Sequence, residues 1–189
     1  MVRTLAAAAP GEDVSTALAL ANTRIDGPHG IVERLADVDA ATEWLRRVVA
    51  ETVPDADADD VQDIMQLRAA IRAVFTAAIR GERAAVDATE TVNQVALADP
   101  GAPQLVWAAQ SARVEWSGSN PRGVQWALAS VARDAIGLLA SGTTLRLCAA
   151  PDCNRLFIPD HGRRVWCSTT CGNRVRGSRH YALNKKVGS

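Results

Sequence analysis

The chain has 189 residues, 48% of them hydrophobic and 22% charged, and its 21 basic residues balance 21 acidic ones. That length and apolar fraction suit one or two compact domains and exclude a wholly disordered chain; zero net charge excludes a uniformly basic coat for an anionic polymer. No run approaches the roughly eighteen consecutive apolar residues of a membrane span.

The start, "MVRTLAAAAPGEDVS", has an alanine run that Pro10, Gly11, Glu12 and Asp13 interrupt before it reaches the length of an export signal. The expectation is a cytoplasmic protein with reduced thiols. A first helix is expected over residues 13–24, capped by Asp13 or Ser15. A second starts at Asp37, a good N-cap, and runs through "ATEWLRRVVAE". Between the second and third helices, "PDADADD" reads as a loop leading into a helix N-terminus, where acids complement the dipole. It lacks the glycine and distal glutamate of an EF-hand, so any Ca²⁺ affinity would be weak. The third helix is the clearest: Ile64, Leu67, Ile71, Val74, Phe75 and Ala78 recur at three- and four-residue steps, and Gly81 stops it.

A fourth helix covers "RAAVDATETVNQVALA" and ends at the turn "DPGAP". Two alternating runs follow, residues 104–108 and 112–118, and read as a β-hairpin with Leu105, Trp107, Val114 and Trp116 at buried or pocket-facing positions. A fifth helix spans "VQWALASVARDAIGLLASG", with Val124, Leu128, Val131, Ala135 and Leu138 on one stripe and Gly142 at its end. Asn22, Thr23, Arg24, Arg68, Arg72, Trp107 and Trp116 could line a pocket for a small acidic or aromatic effector. The plainer expectation is that Asn22 finishes a helix, the arginines pair with acids and the tryptophans fill the core. Arg133 and Asp134 likewise read as a structural pair.

All four cysteines, Cys148, Cys153, Cys167 and Cys171, lie in the last quarter of the chain. Their spacing is C-x4-C, thirteen intervening residues, then C-x3-C, which is two ligand pairs about a hairpin apart, in the range of structural zinc sites. Disulfides would need an oxidising compartment. A redox pair of the thioredoxin type would have a two-residue spacer, and neither spacer here has it. Energetics agree with a metal: a tail of about 45 residues is too short for a core of its own, and a four-thiolate zinc site supplies about 10–16 kcal/mol of apparent free energy. One Zn²⁺ per chain, closed and architectural, is the expectation.

Charge is divided between the two parts. Residues 1–143 hold 12 Lys and Arg against 19 Asp and Glu; residues 144–189 hold 9 against 2. An acidic body with a basic tail points to an anionic partner for the tail. If residues 171–183 are helical, Cys171, Val175 and Ala182 share the zinc-facing side, Arg176 and His180 point away, Arg179 flanks them, and Gly177 is a place to fray or kink. Arg163 and Arg164, just before Trp166, extend the same surface. Together with Arg174, Lys185 and Lys186 these are the candidate contacts to duplex DNA, because a guanidinium fork suits phosphate oxygens. A protein partner is the alternative. Outside the tail there is no cysteine, and the sequence shows no HExxH, GxSxG or Gly-rich phosphate loop, so catalysis is not expected.

The tail, "CAAPDCNRLFIPDHGRRVWCSTTCGNRVRGSRHY", resembles the CGNR zinc finger, named for the tetrad found here as Cys171, Gly172, Asn173 and Arg174. The body resembles the ABATE domain that accompanies such fingers, through "LALANTR", "EWL", "LRAAIR", "QLVW" and "ARDAIGLLASG" in that order. The loop from Phe157 to Trp166 is compact and carries Pro159 where relatives often have a longer polar stretch, and Ala19 stands where relatives often have Asp. The resemblance implies a stress-induced bacterial transcriptional regulator that binds DNA through its finger. The expected architecture is therefore mainly α: a helical domain over residues 1–143 with a small β-hairpin, sensing a signal or forming a homodimer, and a treble-clef or ribbon-like four-cysteine zinc module over residues 144–189. The alternative is an adaptor whose finger docks on a protein such as the transcription machinery.

Overall fold

A computed structural model describes residues 8–28, 30–117 and 123–187, without the side chains of Trp116 and residues 179–187. In chain order the elements are α1 (Thr16–Ala21), β1 (Arg24–Gly27), β2 (Gly30–Glu33), α2 (Val38–Val48), α3 (Ala58–Arg80), α4 (Val86–Ala98), β3 (Ala102–Ala108), β4 (Ser111–Ser117), α5 (Val124–Ala140), β5 (Arg146–Leu147), β6 (Leu156–Phe157) and α6 (Thr169–Val187). The strands form three separate two-stranded antiparallel hairpins, so the fold is mainly α, as the composition implies.

The central helix is α3. Asp57 and Asp60 close a reciprocal capping box at its start, satisfying two orphan N–H groups, and Gly81 ends it at φ 67, a left-handed position that costs glycine little. Its stripe of Ile64, Leu67, Ile71, Val74 and Phe75 is buried against α1, α4 and α5, whereas Ala78 is exposed. Opposing it, α5 contributes Val124, Leu128, Val131 and Ala135, with Leu138 partly buried.

The first helix is shorter than its sequence suggests. Ser15 accepts a hydrogen bond from Leu18 N, and the Asp134 carboxylate on α5 accepts from Ser15 Oγ at 2.6 Å and Ala17 N at 2.8 Å, so two residues cap the N-terminus. After Ala21 the chain turns at Asn22 and Thr23 and enters the β1–β2 hairpin, in which Arg24 pairs with Glu33. This hairpin replaces the expected last turn of helix. Ile25 on β1 buries its side chain, and the turn reaches Gly30 at φ 101, where any side chain would strain the backbone.

Arg68, only 7% exposed, faces that hairpin from α3. It donates to Glu33 Oε1 at 2.6 Å and Oε2 at 2.8 Å, and to Thr23 Oγ1 at 3.0 Å. Burial pushes the Glu33 carboxyl upward, but the Arg68 hydrogen bonds and charge and the Leu35 N–H more than offset this, leaving it below its ordinary range. Arg133 and Asp134 are both structural, yet they turn to different elements: Arg133 donates to the Ala96 and Asp99 carbonyls at the end of α4, and Asp134 caps α1.

The C-terminal module is packed into the body. Leu156 on β6 is fully buried within the main core, beside residues of α1 and α3. Asn22, also fully buried, treats the edge of β6 as a strand partner would: its Nδ2 donates to Leu156 O at 2.8 Å and its Oδ1 accepts from Leu156 N at 2.9 Å. Glu12 Oε1 accepts from Asn22 Nδ2 and from Arg155, in an ion pair whose side chains are nearly inaccessible. Arg72 donates to Ala21 O and Asn154 O, Asp26 and Asn154 exchange two hydrogen bonds, and Ile158 N donates to Pro10 O. Gly11, at φ 95, lies so close that a Cβ would sit 2.8 Å from the Ile158 side chain.

Asn22→Ala should strand the Leu156 N–H and C=O and lower stability by about 2–4 kcal/mol, read as a drop in denaturant midpoint without change in slope. Glu33 supplies an acid-sensitive increment. Because its folded pKa lies below its ordinary 4.5, that increment is complete above pH 4.5 and is lost as pH falls through the folded value. Comparing the stability of wild type and Glu33→Gln from pH 6 down to about pH 3 should show the two converging as the solution is acidified.

Candidate metal centre

Two short turns bring the sulfurs together. In the first, Cys148 follows β5 and Cys153 precedes β6, with Asp152 between them at φ 56; Cys148 N donates to Arg155 O at 2.9 Å and Ala149 N to Val165 O at 2.9 Å. In the second, Ser168 Oγ accepts from Cys171 N at 3.1 Å, so Ser168 caps α6 and places Cys171 in its first turn. Cys167 N also points to Cys148 Sγ at 3.4 Å. Thiolates so placed receive backbone N–H groups and the positive end of a helix.

The four sulfurs lie within 4.8 Å of one another. Cys153–Cys167 and Cys153–Cys171 are 3.8 Å apart and Cys167–Cys171 3.7 Å. A tetrahedron of sulfurs about 2.3 Å from a central ion has edges of about 3.8 Å, whereas a disulfide brings sulfurs to about 2.05 Å. All four residues are free thiols, which settles the disulfide alternative against any pairing among them.

As thiols, the four share protons unevenly. Hydrogen bonds from Cys153 and then Cys167 pull Cys148 down to about 2; the same hydrogen bonds to Cys148 hold Cys153 up at about 11 and push Cys167 further up, with burial and charge repulsion adding to both. One thiolate is easy to form here and its neighbours are not. A dication reverses that by neutralising charges that otherwise repel, so the donor set fits a divalent metal held by four sulfurs and closed to substrate.

Each member of the Cys171–Arg174 tetrad has a physical task. Cys171 supplies sulfur. At Gly172 a Cβ would sit 3.1 Å from Trp166 Cε3 and 3.2 Å from Arg176 Nη1, so glycine gives Trp166 and Arg176 room to close over the helix without shifting. The Arg176 guanidinium then lies 5.5 Å from the Trp166 ring centroid, a cation–π stack, and donates to Asn173 Oδ1 at 2.6 Å. Arg174 donates to Pro151 O at 2.6 Å, tying α6 to the first cysteine turn.

The other basic candidates divide in the same way. Arg164 spends its guanidinium on Asp160 at 2.7 Å, Trp166 O at 3.0 Å and Cys167 O at 3.4 Å. Arg163 and Arg176 are exposed, and Val175 packs inward on the cluster of Cys148, Phe157 and Cys167. Helix α6 runs unbroken through Gly177, so the expected fraying there is not seen. Arg179, His180, Lys185 and Lys186 lie on α6, their side chains outside the described residues, as is that of Ala182.

The proposed effector pocket does not assemble. Asn22, Thr23 and Arg68 are buried in the bonds described above, Arg72 joins α1 to the finger, and Trp107 stands 69% exposed on the β3–β4 hairpin. Leu105 and Val114 are exposed as well, against the expectation of burial, because this hairpin packs on itself and makes at most marginal contact with other elements. The Trp116 side chain lies outside the described residues. Sequence reasoning singled out Asn22 as a helix end or a pocket residue and missed it as a clasp, because its partner is backbone 134 residues away.

A helical body with a four-sulfur module packed against it has the architecture of a zinc-finger protein. The CGNR zinc finger model matches residues 144–183, and the ABATE model, described as "Putative stress-induced transcription regulator", matches residues 15–142. The chain belongs to the ABATE family, and its finger carries a structural zinc. No curated protein matches it. Among the described residues no helix is long and apolar enough to cross a membrane.

Purified protein should contain one zinc per chain by elemental analysis, and Cys153→Ser should lose it. Because Leu156 belongs to the main core, chelation should lower the unfolding midpoint of the whole chain by about 20 °C or more rather than melt the tail alone.

Proposed function

We propose that this protein is a cytoplasmic transcriptional regulator that binds duplex DNA through its zinc finger. The observation that carries the reading is the contrast among the finger's arginines. Arg146, Arg164 and Arg174 donate to carbonyls of the finger itself and brace it, while Arg163 and Arg176 project from the braced frame. They belong to a finger whose region holds 9 Lys and Arg against 2 Asp and Glu. A preorganised guanidinium loses less freedom on meeting a phosphate than one on a mobile tail. The body senses a signal or holds two chains together, and no catalytic step is assigned to it.

A second reading, a protein-docking finger, draws on Leu147 and Val165, which are 42% and 38% exposed beside the first cysteine turn. Salt separates the two. If about six phosphates are engaged, log affinity for a duplex should fall against log salt with a slope of roughly −5, and Arg176→Ala or Arg163→Ala should each reduce the slope by about 1. Arg164→Ala should instead cost stability. Fluorescence anisotropy on a labelled duplex between about 50 and 200 mM salt reads this; absence of binding at low salt, or binding indifferent to salt, favours the docking reading.

A further inference from the structure

The β3–β4 hairpin is short of partners in a way its sequence explains. Antiparallel pairing joins Leu105 to Val114 and Trp107 to Ala112, so one face carries Pro103, Leu105, Trp107, Ala112 and Val114, and the other Gln104, Val106, Arg113 and Glu115. Leu105, Trp107 and Val114 are each at least 60% exposed. An isolated two-stranded hairpin is marginal in water, and one with an apolar face exposed is more so.

The free edge of β4 has a pattern of its own. Ala109 and Gln110 form a two-residue turn closing on Ala108 and Ser111, which makes that pair hydrogen-bonded and sets the alternation along the ladder. The N–H and C=O groups of Ala112, Val114 and Trp116 therefore face away from β3, and among the described residues β4 pairs with no other strand. The strand reads Ser-Ala-Arg-Val-Glu-Trp-Ser and is complementary to itself when reversed about Val114. Val114 meets Val114, Arg113 meets Glu115, Ala112 meets Trp116 and Ser111 meets Ser117. In that register the outward backbone groups of positions 112, 114 and 116 bond to their counterparts. Arg113 and Glu115 fall at the closer, non-hydrogen-bonded pairs, where opposite charges interact best.

We propose that β4 is a homodimerisation edge: two copies of this chain pair β4 with β4 antiparallel, on a two-fold axis at Val114, into one four-stranded sheet. The occupant is a second copy because the charge pattern matches its own reverse, as an isologous contact requires. Pairing also aligns Leu105 and Val114 of both copies in one row across the sheet. Within a single chain Arg113 and Glu115 pair with each other, so they are held at the edge, ready to exchange partners.

The test is the oligomeric state by analytical ultracentrifugation. Wild type should sediment as a dimer at tens of micromolar. Val114→Pro removes an N–H that faces away from β3, so it should give a monomer with an essentially unchanged circular dichroism spectrum and one zinc per chain. Arg113→Glu and Glu115→Arg each place like charges at both closer pairs and should weaken self-association about tenfold or more. Mixed together, these two variants should form a heterodimer, since each then meets its opposite charge, and the double variant Arg113→Glu/Glu115→Arg should dimerise like wild type. A wild-type monomer at about 100 μM, an assembly that Val114→Pro leaves intact, or single variants that fail to rescue each other on mixing would overturn the proposal.

Discussion

Four sulfurs meeting within one small volume are the constraint on which the rest of the chain depends. They fix two turns that would otherwise have no reason to approach, and in doing so they set the start of α6 and the ends of β5 and β6. Strands of two residues cannot hold themselves in water. Here β6 is held on one side by metal-directed folding and on the other by the body, which supplies the Asn22 amide as a strand edge and the main core as a pocket for Leu156. The finger is thus neither a bead on a string nor a self-sufficient fold.

Much of this was legible in the sequence because local rules agreed with the tertiary outcome. The α3 stripe, its Gly81 stop, the Asp37 cap and the Ser15 cap all follow from periodicity and side-chain chemistry within a few residues. The cysteine spacing predicts a zinc-type cluster because ligand geometry tolerates few arrangements. The misreadings have a common origin. The first helix is expected to run on to residue 24 and the β1–β2 hairpin is missed, because its strands are four residues each and what supports them is Arg68, distant in sequence. The β3–β4 positions were expected to be buried since alternation shows that a strand has an apolar face without saying what covers it. Arg164 and Arg174 looked like free cations for the same reason: composition counts charges, and only the fold shows which guanidinium groups are already committed to carbonyls.

The glycine and asparagine of the CGNR tetrad illustrate how a motif can be explained by packing. Neither touches the metal. Gly172 leaves room for the Trp166 ring and the Arg176 guanidinium, and Asn173 orients that guanidinium from three residues back. Replacing Gly172 with alanine puts a Cβ about 3.1 Å from the Trp166 ring, which must shift by a few tenths of an ångström to accept it. The motif therefore specifies a displayed arginine as much as a bound ion.

The short helix α1 connects these parts mechanically. Its first turn is held by Asp134 on α5, and its end by Arg72 on α3, whose other donor reaches Asn154 at the finger. The next residue, Asn22, grips β6 directly. Through these bonds the six-residue α1 ties α5, α3 and the finger together. Breaking them is costly, because the Asn22 amide and the Glu12–Arg155 pair sit where water cannot replace the lost partners. The polar clasp does what apolar packing alone does not: its hydrogen bonds fix the register of β6 on the body.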